Sequence, residues 1–290
     1  MIHSRNDEAI MNSLRGTSAK SCEREVVGLM PAGGKAERIS PLPCSKELFP
    51  LGFQRMKGSF QPRPKTVGHY LLEKFQLAGI AKTYIILRKG KWDIPAYFGN
   101  GEFVNMHLGY LIMGESLGPP FTLDQAYPFV HDKLIAFGFP DIMISSENVF
   151  SLLLKQQERT QADVVLAVFP AHKPQLMDMV EMDEDGKIHG MFLKPDKTDL
   201  QFCWLGGVWT PVFTQFMHEY LQAYRRKNDV QISKTGKTEG RELTVGAVIQ
   251  AAIQKGLQVY GVVFPEGKYI DIGTSENLVK SVEMHGCQLT

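Results

Sequence analysis

The hydrophobic and polar positions of the chain predict short apolar strands that alternate with amphipathic helices. Several runs of β-branched and other apolar residues lack polar alternation, which is typical of strands buried on both faces of a sheet. These predicted strands are 26–30, 83–87, 134–139, 163–169 and 259–264. Their alternation with helices predicts a largely parallel sheet covered on both faces, in one α/β domain.

Stretches with apolar residues at helical spacing predict the longer helices. Their predicted bounds or caps are, in chain order, His69 to Gly79, a cap at Ser145 or Ser146, a cap at Thr210 followed by Pro211, and Thr244 to Gly256. A turn at Asp185 and Gly186 predicts a hairpin of two further strands. Residues 88–130 are rich in glycine, proline and aromatic side chains with fragmentary periodicity, which is typical of long active-site loops.

The ends and the charge of the chain limit the classes of protein that it can represent. Residues 1–24 are polar and lack the apolar core of a signal peptide, which predicts a flexible N-terminal tail before a single domain at 25–290. Lysine and arginine total 32 against 31 acidic residues, so the net formal charge is +1. This balance argues against a nucleic-acid-binding protein and against a polybasic membrane-surface protein. No run of about 18 apolar residues occurs, so no membrane span is expected.

The four cysteines indicate a reducing compartment. Cys22, Cys44, Cys203 and Cys287 are far apart and form neither a CxxC pair nor a zinc-ligand spacing. We therefore expect free thiols and a cytoplasmic location.

The stretch 28–53 contains the strongest functional signal. A buried strand leads into the glycine-rich turn 32–34, where the backbone can approach a ligand closely and point N–H groups at an anion. The cations Lys35, Arg38 and Lys46 follow. Backbone donors combined with these cations suit a polyphosphate.

Two familiar phosphate-binding motifs do not fit this stretch. A Walker A loop would need a lysine where Gly34 stands and a hydroxyl where Lys35 stands, and the register shifted by one residue fails as well. The adjacent Gly33 and Gly34 do not satisfy the dinucleotide fingerprint GxGxxG either. The glycine pair alone is therefore compatible with an ordinary strand-to-loop turn.

The full string changes this interpretation, because it resembles the signature of the sugar-phosphate nucleotidyltransferases, such as the glucose-1-phosphate thymidylyltransferases and uridylyltransferases. Their pattern is a strand followed by AGGxGTRLxPxT and then by xxxKxLLP. The matching residues here are Ala32, Gly33, Gly34, Arg38, Pro41, Lys46 and Pro50. Ala36 and Glu37 replace the third glycine and the threonine of the family. The resemblance implies a three-layer α/β/α, Rossmann-like nucleotide-diphospho-sugar transferase fold with a mostly parallel mixed sheet.

Three later strings resemble the same family and imply a metal site and a sugar-phosphate site. FGFPD places Asp141, and YIDIGTSENL places Asp271, where the family has its two Mg²⁺-binding aspartates. Both can lie beside one crevice at the C-terminal ends of strands, and Mg²⁺ needs only one or two carboxylates besides phosphate and water. FLKP places Lys194 at the lysine that contacts the sugar phosphate, with Leu193 in place of a sugar-binding glutamate.

The string MGESLGPPFTLDQA resembles the segment of the family that reads the nucleobase. Gly118 matches a family glycine there. The base-reading glutamine has no counterpart, because Met113 or Gly114 stands at its position. The identities of the base and of the sugar are therefore left open.

The resemblance implies a Mg²⁺-dependent enzyme that makes a nucleoside-diphosphate sugar and pyrophosphate from a nucleoside triphosphate (TTP or UTP) and a sugar 1-phosphate, with glucose 1-phosphate as the expected sugar. A homo-oligomer is compatible with it. The implied residues are Arg38, Lys46 and Lys194 for catalysis, Ala32, Gly33, Gly34, Lys35 and Gly118 for nucleotide binding, and Asp141 and Asp271 for the metal.

Two alternatives stay open. Glu37, Leu193 and the missing glutamine are compatible with a non-catalytic relative that binds a nucleotide or a sugar nucleotide. A glycosyltransferase would need a DxD-type metal motif, and the nearest string is 183–185 in the predicted hairpin turn.

Overall fold

The structure is a computed structural model. It describes residues 25–55, 61–114, 116–228 and 242–285. The predicted tail of residues 1–24 lies outside these ranges, as do Cys22 and Cys287. The division of the chain into a tail and one domain stays a prediction.

The described residues form thirteen strands and eight α-helices. The strands are β1 (Val26–Ala32), β2 (Pro50–Arg55), β3 (Pro62–Thr66), β4 (Lys82–Arg88), β5 (His107–Met113), β6 (Leu134–Gly138), β7 (Ile142–Ile144), β8 (Val164–Pro170), β9 (Asp178–Met182), β10 (Ile188–Leu193), β11 (Phe202–Trp209), β12 (Val259–Val263) and β13 (Tyr269–Asp271). The helices are α1 (Val67–Leu77), α2 (Asp93–Phe98), α3 (Pro119–Asp124), α4 (Tyr127–Val130), α5 (Val149–Thr160), α6 (Pro211–Asn228), α7 (Val245–Gln254) and α8 (Ser275–His285).

A nine-stranded mixed sheet forms the centre of the described structure. Its main run of neighbouring strands is β5-β4-β1-β6-β11-β8-β12, and the hairpin β9-β10 pairs with β11 through Met179 and Cys203. Parallel pairs join β5, β4, β1 and β6, and another joins β8 and β12. Only β11 in this run is antiparallel to its neighbours β6 and β8. This arrangement confirms the predicted mixed, mostly parallel sheet.

Helices cover both faces of the sheet, because successive side chains of its central strands are apolar on both sides. In β1, Val27 and Leu29 belong to one buried cluster, whereas Met30 and Ala32 belong to the other. The first cluster includes side chains of α3, α6 and α7, and the second includes side chains of α1, α2 and α5. The fold therefore has the three α/β/α layers that the family resemblance implied.

Several predicted boundaries are confirmed together with their local causes. Gly79 follows α1 with a φ of 78°, a left-handed conformation that favours glycine. Thr244 caps α7, since its hydroxyl oxygen accepts a hydrogen bond from the N–H of Ala247 at 3.2 Å. Gly186, in the turn between β9 and β10, has a φ of 82°.

Two predictions of local structure are wrong. The residue before α5 is Asn148 rather than Ser145 or Ser146, because the N–H of Ser145 donates to the carbonyl oxygen of Lys268 alongside β7 and β13. Residues 88–130 contain α2, β5, α3 and α4 rather than only loops. These helices have four to six residues, and β5 is a partly exposed edge strand, so neither leaves a long periodic pattern.

Within the described ranges, we find no helix with the length and apolar character needed to cross a membrane.

Candidate active site

The glycine-rich turn follows β1, near the middle of the sheet, at the strand ends where open α/β sheets form ligand crevices. Ala32 is buried in the core, and the backbone leaves the sheet at Gly33 and Gly34. A Cβ atom added to Gly33 would lie 3.6 Å from Oγ1 of Thr122, and one added to Gly34 would lie 3.5 Å from Nζ of Lys46. The turn therefore runs close to the ammonium of Lys46.

Lys46 and Asp141 form the central contact of the site. Nζ of Lys46 donates a hydrogen bond to Oδ2 of Asp141 at 2.5 Å, and the two side chains are only 14% and 15% exposed. Burial by itself would lower the pKa of Lys46, but the charges of Asp141, Glu47 and Asp271 outweigh burial and raise this pKa above its usual value. Lys46 is therefore a charged, largely buried cation beside the glycine-rich turn.

A small antiparallel sheet brings the two predicted metal ligands together. In the pairing of β7 with β13, Asp271 lies opposite Ile142, and the N–H of Ile272 donates to the carbonyl oxygen of Asp141 at 3.0 Å. Burial, followed by the charge of Asp141, raises the pKa of Asp271 above its usual value, against the opposing effects of Gly273, Lys46 and Arg38. The two carboxylates thus repel each other, which a bound cation would relieve.

Local hydrogen bonds hold Asp271 at the end of β13, just before α8 begins. The N–H of Gly273 donates to Oδ1 of Asp271 at 2.7 Å, and the side-chain amide of Asn277 donates to the carbonyl oxygen of Asp271, also at 2.7 Å. Oγ1 of Thr274 accepts from the N–H of Asn277 at 3.3 Å. The string GTSEN therefore serves to orient the aspartate that precedes it.

Arg38 lies in the loop after β1, and its side chain reaches the turn at Gly273 that follows β13. A Cβ atom on Gly273 would lie 2.8 Å from Nη2 of Arg38 and 2.9 Å from Oδ1 of Asp271, so this close approach requires a glycine. Arg38 belongs to a short 3-10 helix at Glu37–Ile39. The structure therefore brings Arg38, Lys46 and Asp271 together with Asp141.

The two departures from the family pattern lie at the edge of this cluster. Ala36 has φ 57° and ψ 30°, a left-handed conformation that the glycine of the family pattern would adopt without strain. The side chain of Glu37 is 78% exposed, and its Oε1 lies 3.9 Å from Nζ of Lys35, itself an exposed side chain. The charge of Glu37 therefore stands in solvent.

Lys194 and Gly118 are not joined to the cluster by any hydrogen bond or ion pair within the described ranges. Lys194 is exposed at the end of β10, with a φ of 44°. Gly118 precedes α3 with a φ of 137°, and a Cβ atom there would overlap the carbonyl oxygen of Leu243. Packing of two backbone segments already accounts for this glycine, and the functional roles of Lys194 and Gly118 stay predictions.

The residues that hold the segment around Lys46 in place were not predicted from the sequence. Lys91 places Nζ 2.8 Å from both carboxylate oxygens of Glu47, which is completely buried. Asp93 accepts hydrogen bonds from the N–H and the hydroxyl of Ser45 at 2.7 and 2.8 Å. These contacts hold the residues on either side of Lys46. A glutamate within the apolar string ELFPL was a possible signal, but nothing local identified its partner.

The donor set at Asp141 and Asp271 fits a hard divalent cation. Oδ2 of Asp141 contacts Lys46 and Oδ1 of Asp271 accepts from Gly273, which leaves one oxygen on each carboxylate. The described residues contain no group of three or more histidine, cysteine or acidic side chains placed to hold a metal. An ion here would therefore need phosphate or water oxygens as further ligands, which is how Mg²⁺ is usually bound.

The DxD-type string of the glycosyltransferase alternative lies in the turn of the hairpin β9-β10. Oδ1 of Asp183 accepts from the N–H of Lys187 at 2.9 Å, and Oδ2 lies 2.8 Å from Nε2 of His189. This carboxylate therefore stabilises the turn.

Comparison with known proteins shows the family of this chain. Residues 27–285 match the family model described as nucleotidyl transferase. The chain therefore belongs to the nucleotidyl transferase family.

Individual relatives are distant in sequence. The low-salt glycan biosynthesis nucleotidyltransferase Agl11 of Haloferax volcanii is 22% identical over 261 residues, which are 89% of this chain and 65% of that protein. The chain thus spans about 65% of the length of this relative.

Two solved structures show the same fold. A candidate glucose-1-phosphate thymidylyltransferase from Bacillus anthracis, in complex with a sucrose, has a TM-score of 0.71 at 16% identity, over 89% of this chain and 94% of that one. A UDP-glucose pyrophosphorylase complexed with UDP-glucose has a TM-score of 0.66 at 16% identity, over 89% and 97%. These likenesses confirm the Rossmann-like fold of nucleotide-diphospho-sugar transferases.

Proposed function

We propose that this protein is an enzyme that transfers a nucleotidyl group from a nucleoside triphosphate to a sugar 1-phosphate. The observation that carries the proposal is the cluster of Arg38, Lys46, Asp141 and Asp271 beside a glycine-rich turn at the ligand-binding edge of the sheet. Membership in the nucleotidyl transferase family supports it. The descriptions of the two structural neighbours favour TTP or UTP as the nucleotide and glucose 1-phosphate as the sugar.

The proposed reaction is an in-line displacement at phosphorus. An oxygen of the sugar 1-phosphate forms a bond to the α-phosphorus, while the bond from that phosphorus to the bridging oxygen breaks and pyrophosphate leaves with the electron pair. The attacking oxygen is already anionic, so no general base is required. The protein must therefore align two anions and neutralise the charge of the leaving group.

Each cation has a proposed place in this reaction. Lys46 approaches the α-phosphate, since Asp141 takes only one of the three donors of its ammonium. Arg38 binds the β- and γ-phosphates, and its planar guanidinium matches the geometry of phosphate oxygens. The backbone at Gly33 and Gly34 supplies N–H donors, and Lys194 steers the sugar phosphate.

Asp141 and Asp271 would hold Mg²⁺ through the carboxylate oxygens that face neither Lys46 nor Gly273. When bound, Mg²⁺ neutralises charge on the phosphate oxygens. We place the activity in the cytoplasm, which the free thiols of Cys44 and Cys203 support.

A binding experiment followed by a turnover experiment tests the function. Calorimetry with TTP or UTP and Mg²⁺ measures binding, and a pyrophosphate-release assay with a panel of nucleotides and sugar phosphates measures turnover. Arg38→Ala should lower kcat/KM at least tenfold, which corresponds to about 1.4 kcal/mol of transition-state stabilisation. The control is Arg159→Ala, because Arg159 lies exposed on α5, where its Nε atom donates a hydrogen bond to Gln156 on the same helix. Tight binding without turnover across the panel would favour the non-catalytic relative.

A further inference from the structure

A small polar pocket lies between the loop after the glycine-rich turn and the turn that follows β4. Its volume is about 280 Å³. The basic side chains on its wall are Lys35, Lys46, Arg88 and Lys91. The acidic side chain on its wall is Asp93, and both carboxylate oxygens of Asp93 already accept hydrogen bonds from Ser45.

Three of the four cations already have an acidic neighbour. Lys46 and Lys91 each contact a largely buried carboxylate, at 2.5 and 2.8 Å. Lys35 lies 3.9 Å from Glu37, and both side chains are more than half exposed. Lys35 is therefore a solvated cation at the mouth of the pocket that could turn toward a stronger anion.

Arg88 differs from the other three. It is partly buried at the end of β4, and its Nε atom is buried without a hydrogen-bond acceptor. The described structure gives its guanidinium no ion pair. Burial, opposed by Glu47, lowers the pKa of Lys91, and the charge of Arg88 contributes to this decrease. A desolvated, charged donor without an acceptor is unfavourable, so the pocket is built to receive an anion.

The position of Arg88 relates the pocket to the proposed nucleotide site. In the parallel pairing of β1 with β4, Ala32 lies opposite Leu87. Arg88 therefore leaves the sheet beside Gly33, where the backbone turns toward the proposed nucleotide site. Lys35 and Ala36, which directly follow that turn, also line the pocket.

We propose that this pocket binds a phosphate group, with Arg88 as its principal ligand and Lys35 as the second cation. A guanidinium offers phosphate two parallel N–H donors, which suits a polar pocket of this size. The proposal rests on the proposed function in one respect: the phosphate group is the terminal phosphate of the nucleoside triphosphate, which Arg88 and Lys35 would share with Arg38. The same chemistry would also accept a separate inorganic phosphate, and the experiment distinguishes the two sources.

The test compares Arg88→Gln with the matched control Lys89→Gln, which removes an exposed cation one residue further along the chain. Calorimetry measures the binding of UTP, TTP, UMP, pyrophosphate and inorganic phosphate. Arg88→Gln should weaken the binding of the triphosphates and of pyrophosphate at least tenfold and leave UMP unchanged, and Lys89→Gln should bind all five like the wild type. Arg88→Lys should recover part of the lost affinity, since it restores the positive charge without the two parallel N–H donors of a guanidinium.

Cys44 provides a second measurement on the unaltered protein. Its partly exposed thiol also lines the pocket. Pyrophosphate should slow its labelling by a maleimide at least threefold, as measured by mass spectrometry. This readout does not depend on the folding of any variant.

The outcomes separate this proposal from the proposed function. Binding of inorganic phosphate that Arg88→Gln abolishes, with triphosphate affinity unchanged, supports the pocket and assigns it a separate phosphate. If the wild type shows no turnover but Arg88→Gln loses pyrophosphate binding, the proposed enzymatic function is wrong, whereas the proposal of a phosphate-binding pocket is supported. Equal affinities of wild type and Arg88→Gln for all five compounds, with no protection of Cys44, would overturn the pocket.

Discussion

The backbone N–H of Ile272 donates to the carbonyl oxygen of Asp141 at 3.0 Å and so joins two segments that are far apart in the chain. Through this bond and the pairing of β7 with β13, Asp271 lies beside the strand that follows Asp141. The two carboxylates therefore owe their proximity to a small sheet separate from the nine-stranded one. Substitutions in and around this site have distinct expected effects.

Asp271→Asn should raise the Mg²⁺ concentration that gives half-maximal activity at least about tenfold, since even outer-shell partners of metal ligands have effects of this size. The stability of the folded protein, in contrast, should not decrease. Because the folded protein raises the pKa of Asp271, its charge disfavours folding at pH 7, and the neutral variant should resist heat at least as well as the wild type. Metal titrations of pyrophosphate release and thermal unfolding measure the two effects.

Asp132→Asn is the control for this prediction, because Asp132 is exposed and forms an ion pair with its neighbour Lys133 on the surface. It should leave the metal dependence unchanged. An unaltered metal requirement in Asp271→Asn would remove Asp271 from the proposed metal site.

Lys91→Met should lower the free energy of unfolding by about 3–5 kcal/mol, because it leaves the carboxylate of Glu47 buried without its partner. Burial already raises the pKa of Glu47, against the charges of Lys91 and Lys46. The double variant Glu47→Leu/Lys91→Met should recover most of the loss, since apolar residues can replace a buried ion pair at little cost. Urea unfolding measures all three proteins.

The exposed pair of Lys280 and Glu276 on α8 provides the comparison. Lys280→Met should cost no more than about 1 kcal/mol, the usual limit for a surface ion pair. A similarly small cost for Lys91→Met would show that the buried pair does not stabilise the loop around Lys46.

Ala36→Gly should stabilise the protein by up to about 1 kcal/mol. The left-handed conformation of Ala36 costs a side-chain-bearing residue about 1–2 kcal/mol, and a glycine adds about 0.4–1 kcal/mol of unfolded-state entropy. Ala36→Val should destabilise the protein, because a β-branched residue tolerates positive φ poorly. Urea unfolding measures the change in the free energy of unfolding for both variants. A less stable Ala36→Gly variant would contradict the left-handed conformation of residue 36.

His69 should make the protein lose stability as the pH falls below about 6.5. Burial, helped by the charge of Lys65, lowers the pKa of His69 to about 3, while the unfolded chain takes up this proton near pH 6.5. The stability is therefore complete above pH 6.5 and decreases by up to about 1.4 kcal/mol per pH unit on acidification. Between pH 7 and pH 5 the expected loss is about 2 kcal/mol.

His69→Gln should remove this dependence, and the exposed His107→Gln should retain it. Unfolding free energies at pH 7, 6 and 5 give the slopes, which are informative even if His69→Gln is less stable at every pH. Equal slopes in the three proteins would mean that His69 is protonated in the folded state.

The sequence by itself determined the layers of the fold and half of the site. Strands such as β1 and β8 are buried on both faces, so their apolar runs mark them without any knowledge of their neighbours. Arg38 and Lys46 lie within one continuous string after β1, and the resemblance of that string to the family signature implied their places in the site. The family resemblance extended this to Asp141 and Asp271, which local patterns could not have paired.

Only the tertiary structure decided how these residues meet. The hydrogen bond from Ile272 to Asp141, the ion pair of Lys91 with Glu47 and the position of Arg88 beside Gly33 depend on which distant segments become neighbours. The three-residue strands β7 and β13 and the partly exposed edge strand β5 leave little periodic signal in the sequence. The partner of a buried charge can be identified only in the folded structure, because the two residues can be far apart in the sequence.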